Sequence, residues 1–238
     1  NRVNDGGPLK FLNVGMAYRL KNGLSSDFEM AGPADGFSQQ YVIRDLYDNN
    51  PFNLGSIDGY SYSHFYYSWL PMLATYANIG DVDGNLITTP DGELIYPPTD
   101  LGFISEQRGG VSEVDVNIAA NFNDRVYVGA TFSFATVDYS VENLYYENDE
   151  IGEIYSLGNY NHIEGSGFGI KLGTIIRPFK YSPFKFGLAV HTPTWYSLKS
   201  FSYADIQGPF GDFYDTRDRE LYDGELRTQS KFSTPWRF

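Results

Sequence analysis

Five segments of the chain alternate apolar and polar residues with a period of two. Between Glu113 and Phe122 every even-numbered position is apolar, whereas the odd-numbered positions are mostly polar or charged. Because successive side chains of a β-strand point to opposite faces of the sheet, this alternation predicts a strand with one apolar and one polar face. The same pattern recurs at residues 11–20, 125–134, 167–177 and 184–192. The sequence therefore predicts an all-β fold.

The links between these strands are of two kinds. Asn123 and Asp124 alone separate two of the strands, and two residues of this type predict a tight antiparallel hairpin. A second short link lies at 180–183, whereas the stretches at approximately 22–109, 139–164 and 199–227 are long and polar. Short turns that alternate with long loops are typical of up-and-down outer-membrane barrels, whose strands turn one face to lipid and one to the lumen. We predict that residues 1–238 form part of one transmembrane β-barrel domain, with the three long stretches as extracellular loops.

Composition narrows the partners and the chemistry. The formal net charge is −13, so the phosphates of nucleic acid would be repelled and no nucleic-acid partner is expected. The chain has no cysteine, which excludes a disulfide framework and a thiolate metal site. Its 20 tyrosines and 18 phenylalanines suit aromatic girdles at a membrane surface, although secreted β-proteins are also rich in tyrosine. A secreted antiparallel sandwich would show the same alternation, and solubility without detergent would distinguish it.

Charged and polar residues recur on the faces assigned to the lumen. Side chains of both signs that are shielded from bulk water should pair across strands, because an isolated charge there is costly. The residues predicted to form this lumen polar network are Glu113, Asp115, Lys171, Arg177, Lys185 and His191. For His191 a catalytic role was the alternative, but no serine and acid are spaced to complete a triad.

The longest loop contains two predicted short helices and an aromatic cluster. Ser38 can cap a helix that ends before Asn49, and a second helix is expected from Ser68, with Gly80 just beyond its end. Between the helices the aromatic residues predict either a girdle with a packed loop core or a hydrophobic docking surface. This cluster comprises Tyr60, Tyr62, Phe65, Tyr66, Tyr67 and Trp69.

Other motifs have weaker chemical meaning. Asp81, Asp83 and Asn85 are similar to the first half of a calcium loop, but the later glutamate is not at its place, so a solvated turn is preferred. The glycines at 165–169 do not fit a phosphate-binding spacing and are better explained as strand glycines. The acidic stretch 142–153 is either solvated or holds divalent ions at a lipopolysaccharide surface. No metal site and no cofactor are predicted.

Four sequence pieces together resemble the FadL/TodX family of outer-membrane transport proteins. They are GGVSEVDVNIAANFNDRVYVGAT at 109–131, GSGFGIKLGTIIRP at 165–178, FGLAVHTPTWY at 186–196 and STPWRF at 233–238. The resemblance implies a Gram-negative outer-membrane barrel of about 14 strands that is plugged by an N-terminal hatch and passes hydrophobic compounds. About 8 to 10 strands are expected for a chain of this length, so we expect it to be a fragment that lacks the hatch and the last strands.

The resemblance implies import of hydrophobic small molecules, with long-chain fatty acids as the default, and no enzymatic activity. In that family, loops with short helices form an apolar landing site, and the ligand leaves through a gap in the barrel wall. The residues predicted for ligand capture are Tyr60, Tyr62, Phe65, Tyr66, Trp69, Leu70 and Leu73. The expected partners are outer-membrane lipid, lipopolysaccharide and the ligand. The alternative function is docking of a partner protein for secretion or surface assembly, and a barrel enzyme is a further hypothesis.

Overall fold

The computed structural model describes residues 7–48, 70–77, 79, 93–179, 181–208, 213–217 and 226–238. In these residues nine strands form one sheet and two helices lie between the second and third strands. The strands are β1 (Leu9–Gly23), β2 (Ser26–Pro33), β3 (Asp100–Phe122), β4 (Val126–Asn148), β5 (Glu153–Ile176), β6 (Phe186–His191), β7 (Trp195–Gln207), β8 (Phe213–Asp215) and β9 (Leu226–Ser233), and the helices are α1 (Gln39–Asp48) and α2 (Leu70–Tyr76). No helix in this part of the chain is long and apolar enough to cross a membrane.

The strands are aligned in six ranks, each antiparallel to the next. β1 and β2 lie end to end against β3, and β6 and β7 lie end to end against β5. β8 and β9 both pair with β7, whereas β3, β4 and β5 are each long enough to form a rank alone. Because ranks that follow one another in the chain are also neighbours in the sheet, the topology is an up-and-down meander. The prediction of an antiparallel all-β fold is confirmed.

The predicted hairpin between β3 and β4 is present. Asn123 and Asp124 have φ angles of 53° and 57°, as a type I′ turn requires, and Asn and Asp tolerate this conformation better than most residues. The Arg125 N–H donates to the Phe122 carbonyl at 3.0 Å. The Asn121 side-chain oxygen also accepts from the Asp124 N–H at 3.1 Å, which fixes the turn from the strand side.

Much of the three stretches predicted as long loops is strand instead. β4 and β5 occupy most of 139–164 and leave only 149–152 as their link. β2 and the first part of β3 lie within 22–109, and much of β7 lies within 199–227. Beyond Thr136 of β4 the alternation changes phase: the apolar residues Val137, Tyr139 and Val141 take the odd-numbered positions, while the backbone pairing with β3 and β5 continues. The longest link, between β2 and β3, lies at one end of the sheet, here named the long-link end, and the hairpin between β3 and β4 lies at the other, here named the short-link end.

The sheet has two chemically different faces. In β3, β4 and β5, odd-numbered side chains share the inner face, against which the helices pack, and even-numbered ones share the outer face. The buried polar residues Glu113, Asp115 and Ser133 belong to the inner face. The outer face exposes large apolar side chains: Met16 of β1 is 75% exposed and Leu172 of β5 is 52% exposed.

The two predicted loop helices pack on the inner face at the long-link end. Ser38 caps α1, because its hydroxyl accepts from the Gln40 N–H at 3.0 Å. The helices share one apolar cluster with the parts of β5 and β7 at the long-link end. Its buried members include Ile43, Leu70, Leu73, Ala74, Ala77, Tyr155, Leu157 and Ile206. The helices therefore cover one end of the inner face rather than stand apart from the sheet.

Candidate functional site

Five charged side chains of the inner face form one ion-paired group, here named the charge cluster: Arg19, Lys21, Glu113, Asp115 and Lys171. The Glu113 carboxylate lies 2.5 Å from Arg19 Nη2, 2.7 Å from Lys171 Nζ and 3.2 Å from Lys21 Nζ. Asp115 lies 2.8 Å from Arg19 Nη2 and 3.3 Å from Lys171 Nζ. The Glu113 side chain is 2% exposed, so three cationic neighbours supply the stabilisation that it has lost from water.

The register of the sheet brings these residues together. Arg19 of β1 pairs directly with Glu113 of β3, whereas Lys171 lies on β5, two ranks from β3. Ser133 of β4 stands between Lys171 and the carboxylates, and its small side chain leaves room for the lysine to reach across. The Ser133 hydroxyl also donates to Asp115 at 2.5 Å. Together with Ser133 on β4, the charge cluster thus connects four neighbouring ranks of the sheet at one level.

A cavity of about 450 Å³ opens on the inner face beside the charge cluster. Its wall contains Arg19, Lys21, Glu113, Lys171, His191, Thr192, Thr194, Thr234 and Arg237. Arg237 is held there by a backbone bridge to His191, which pairs with Lys171. Together with Asp115, the cavity is bordered by four cationic and two anionic side chains, which is an excess of two cations among the lysines, arginines and carboxylates. This excess can hold an acidic group, in a protein whose net charge is −13.

The structure brings together only part of the predicted lumen network. Three of its residues, Glu113, Asp115 and Lys171, lie in the charge cluster, and His191 lines the adjoining cavity. Arg177 and Lys185 lie in the link between β5 and β6, and in the described residues neither forms an ion pair. The period-two count does not apply to them, because β5 ends at Ile176 and β6 begins at Phe186.

Arg19 and Lys21 are not among the residues predicted for this network. Arg19 has a signal in the sequence, since it lies on the polar face of the strand at 11–20. Lys21 lies one residue beyond the predicted strand at 11–20, and the same alternation continued to it places it on the face of Arg19.

A second buried carboxylate, Glu147, joins the long-link end of β4 to α1. It is fully buried and accepts hydrogen bonds from the Ser38 hydroxyl at 2.7 Å and the Gln39 N–H at 2.6 Å. It also accepts from the hydroxyls of Tyr145 and Tyr155 at 2.6 and 2.9 Å, and from the Gln40 amide at 3.1 Å. Burial and the neighbouring carboxylate raise the pKa of Tyr145 and Tyr155, so both phenols remain donors at neutral pH. Glu147 thus fastens the N-terminus of α1 to the sheet.

Most of the predicted capture residues lie outside the described residues. These are Tyr60, Tyr62, Phe65, Tyr66 and Trp69. Leu70 and Leu73 are described, and both are buried in the apolar cluster, at 7% and 0% exposure. Their side chains pack the helix against the sheet and are not open to solvent. Their contact with a ligand stays a prediction.

The other sequence motifs have simple structural outcomes. The glycines at 165–169 lie inside β5, as predicted for strand glycines. Asp81, Asp83 and Asn85 fall outside the described residues. In the described part of the chain no three histidines, aspartates or glutamates are grouped so that they could hold a metal ion. The acidic residues of 142–153 lie mainly on strands. Among them, Glu147 accepts a hydrogen bond from the first residue of α1.

The outer face changes from apolar to polar at a single level. Phe134, Phe168 and Trp195 lie side by side there on β4, β5 and β7, and we name them the aromatic row. The rings of Phe134 and Phe168 have centroids 5.3 Å apart. Toward the short-link end the outer face is apolar over β1, β3, β4, β5 and β6; this apolar band includes Val14, Met16, Ile118, Val128, Leu172 and Leu188. Toward the other end, the next row is formed by Thr136, Ser166 and Ser197.

Comparison with known proteins finds no match: no family model, no curated protein and no solved structure is similar to this chain. Membership of the FadL/TodX family therefore stays a prediction.

Proposed function

We propose that the protein is part of an outer-membrane β-barrel that imports hydrophobic small molecules with an acidic end group, long-chain fatty acids being the default. The observation that carries this proposal is the opposition of the two faces. At one level of the same strands, the outer face is apolar and exposed, and the inner face holds buried, ion-paired charge. A water-soluble sheet has the opposite arrangement, with polar side chains on the exposed face and apolar side chains on the buried face.

The dimensions of the apolar band suit a bilayer. Val114 to Phe122 is nine residues, and a tilted transmembrane β-strand needs about 9–11 residues to cross the hydrocarbon core. The lipid-facing band of outer-membrane barrels is about 25 Å tall and is bordered by aromatic girdles. The aromatic row borders the apolar band at one edge, and the polar outer face of β3, β4 and β5 continues beyond it. In this proposal the long-link end extends outside the cell and the short-link end faces the periplasm.

The inner face supports an acidic ligand. The cavity beside the charge cluster is bordered by four cations and two carboxylates, so a ligand carboxylate that binds there reduces the excess of positive charge and can accept hydrogen bonds from a cation. Binding of an apolar chain needs no cofactor, because removal of apolar surface from water supplies about 25 cal/mol per Å². Capture at the loop between α1 and α2 then remains the proposed first step.

The test compares uptake of a long-chain fatty acid with that of the matching fatty alcohol. We expect cells that express the protein in a host without its own fatty-acid uptake to take up both compounds. Lys171→Gln removes one cation beside the cavity and should lower uptake of the acid at least about fivefold, with little effect on the alcohol. Lys185→Gln removes an equal charge from an exposed position outside the cavity, and it should leave both rates unchanged.

Two outcomes would contradict the proposal. Uptake that equals that of cells without the protein would remove the transport function. Equal loss of acid and alcohol uptake in Lys171→Gln would mean that the charge cluster stabilises the sheet without recognising the acidic group. Capture of a partner protein in place of any ligand would instead favour the docking function.

A further inference from the structure

The outer face carries a groove at the level where apolar side chains give way to polar ones. The groove has a volume of about 630 Å³ and lies across β4, β5, β7 and β9. Its apolar side is the aromatic row, and its polar side is formed by Thr136, Ser166, Ser197 and Lys231. Backbone pairing places Ser197 directly opposite Lys231 and next to Ser166, so these polar groups form one continuous row.

The polar groups of this row have no visible structural task. In the described residues, Lys231 has no carboxylate within ion-pair distance, and the hydroxyls of Ser166 and Ser197 have no side-chain partner. Lys231 is exposed. Lys199 lies two residues beyond Ser197 on β7, so its side chain is also on the outer face. It is exposed and, in the described residues, it likewise forms no ion pair. Two unpaired ammonium groups therefore stand beside three hydroxyls and three aromatic rings.

We propose that this groove binds an anionic membrane lipid, whose phosphate lies against Lys231 and the hydroxyl row and whose acyl chain lies over Phe134, Phe168 and Trp195. The inference rests on the proposed function, because it requires the apolar band to lie in a bilayer. Charge complementarity selects the occupant: an ammonium group and hydroxyl donors suit a phosphate, and the aromatic rings suit the first part of an acyl chain.

The surroundings of the groove explain its restriction to one side of the sheet. Elsewhere on the outer face beyond the aromatic row, acidic side chains such as Asp138 and Glu142 are common. Glu164 stands directly opposite Lys199 in the β5–β7 pairing, without reaching ion-pair distance. Lys199 is thus partly compensated and Lys231 is not, so we expect Lys231 to make the larger contribution to binding. The acidic remainder of the face would repel a second phosphate.

Trp195 allows the site to be tested by its own fluorescence. The chain has three tryptophans, and the double variant Trp69→Phe, Trp236→Phe leaves Trp195 as the sole emitter. The protein is placed in phosphatidylcholine vesicles in which a rising fraction of the lipid is replaced by dibrominated phosphatidylcholine or by dibrominated phosphatidylglycerol. Bromine quenches tryptophan at short range, so the relative quenching reports which lipid occupies the groove.

We expect the anionic lipid to quench Trp195 with an apparent affinity about fivefold higher than phosphatidylcholine, the effect of about one lysine near a membrane surface. Lys231→Gln should bring the ratio close to one, and Lys199→Gln should lower it less. Lys185→Gln is the matched control, since it removes an exposed lysine at the short-link end and should leave the ratio unchanged.

The outcomes separate the site from the proposed function. Equal quenching by both lipids, or a preference that survives Lys231→Gln, overturns the lipid site while the membrane barrel stands. Absence of quenching by either lipid shows that Trp195 does not face lipid, and then both proposals fail. If the double tryptophan variant does not fold, native mass spectrometry of the unsubstituted protein and Lys231→Gln gives the same decision through the amount of retained phosphatidylglycerol.

Discussion

Glu113 and Glu147 are both buried carboxylates, and the fold stabilises them in different ways. Glu113 is surrounded by three cations, so its charge is balanced within the charge cluster. In the described residues no cation reaches Glu147, which instead accepts hydrogen bonds from five donors. A carboxylate saturated by donors is held firmly, and three of its donors belong to the N-terminus of α1. The two residues therefore have separate tasks, one within the sheet and one between the sheet and a helix.

Replacement of Glu147 should release α1 from the sheet. Glu147→Gln keeps the shape of the side chain but turns one acceptor into a donor. In one orientation this donor faces those of Ser38 and Gln40 at the Oε2 position, and in the other it faces those of Gln39, Tyr145 and Tyr155 at the Oε1 position. We expect a loss of about 1–3 kcal/mol in the free energy of local opening. Hydrogen exchange of the backbone amides of α1 measures this loss as faster exchange.

Glu142→Gln is the control for this change, because Glu142 lies on the outer face of the same strand, away from α1. The amides of β4 around residue 130 should exchange at the parent rate in both variants. Unchanged exchange of α1 in Glu147→Gln would mean that apolar packing of Ile43 and Leu73 alone holds the helices on the sheet.

At the scale of elements, the hairpin of Asn123 and Asp124 sets the register of β3 and β4. Both turn residues have positive φ, which a β-branched side chain adopts only with strain. Asn123→Val should therefore destabilise the protein by about 1–2 kcal/mol, whereas Asn123→Gly should be neutral or slightly stabilising. Urea unfolding of the protein in vesicles, followed by tryptophan fluorescence, would measure both changes. Equal stability of the two variants would mean that the long β3–β4 ladder fixes the turn regardless of its sequence.

The elements that could be predicted from sequence are those whose two faces differ in polarity. The strands around residues 114–122, 126–134 and 168–176 were identified because apolar and polar side chains alternate there. The continuation of β4 beyond Thr136 was not, because the apolar residues change there from even-numbered to odd-numbered positions while cross-strand pairing persists. The helices were found through a cap at Ser38 and apolar spacing in 70–77, both of which are local signals.

The candidate site was predicted only in part for a similar reason. Glu113, Asp115 and Lys171 lie at regular positions of regular strands, so alternation placed them on one face. The pairing of Arg19 and Lys21 with Glu113 depends on which strand lies beside β3. The local pattern does not encode that neighbour. Ion pairs between neighbouring ranks can therefore be identified only once the order of the strands is known.

At the scale of the whole molecule, the outer face distinguishes a membrane protein from a water-soluble sheet. Leu172 lies near the middle of the apolar band and is 52% exposed. If the band faces lipid, Leu172→Arg places a charge in hydrocarbon and should cost about 2–4 kcal/mol of stability in vesicles. If the band faces water, the same change replaces an exposed leucine and should be nearly neutral. Denaturant unfolding of the protein in phosphatidylcholine vesicles measures the difference.

Ser140→Arg provides the matched comparison for Leu172→Arg. Ser140 lies on the outer face of β4, six residues beyond Phe134 of the aromatic row. The neighbouring outer positions there are polar. Arginine there remains in water whether or not the band is in a bilayer, so its effect should stay within about 0.5 kcal/mol. A large cost at Leu172 with a small one at Ser140 ties the apolar band to lipid. Small costs at both positions would mean that the exposed apolar face is covered by protein or meets water. The proposal that the protein imports ligands across a membrane would then be contradicted.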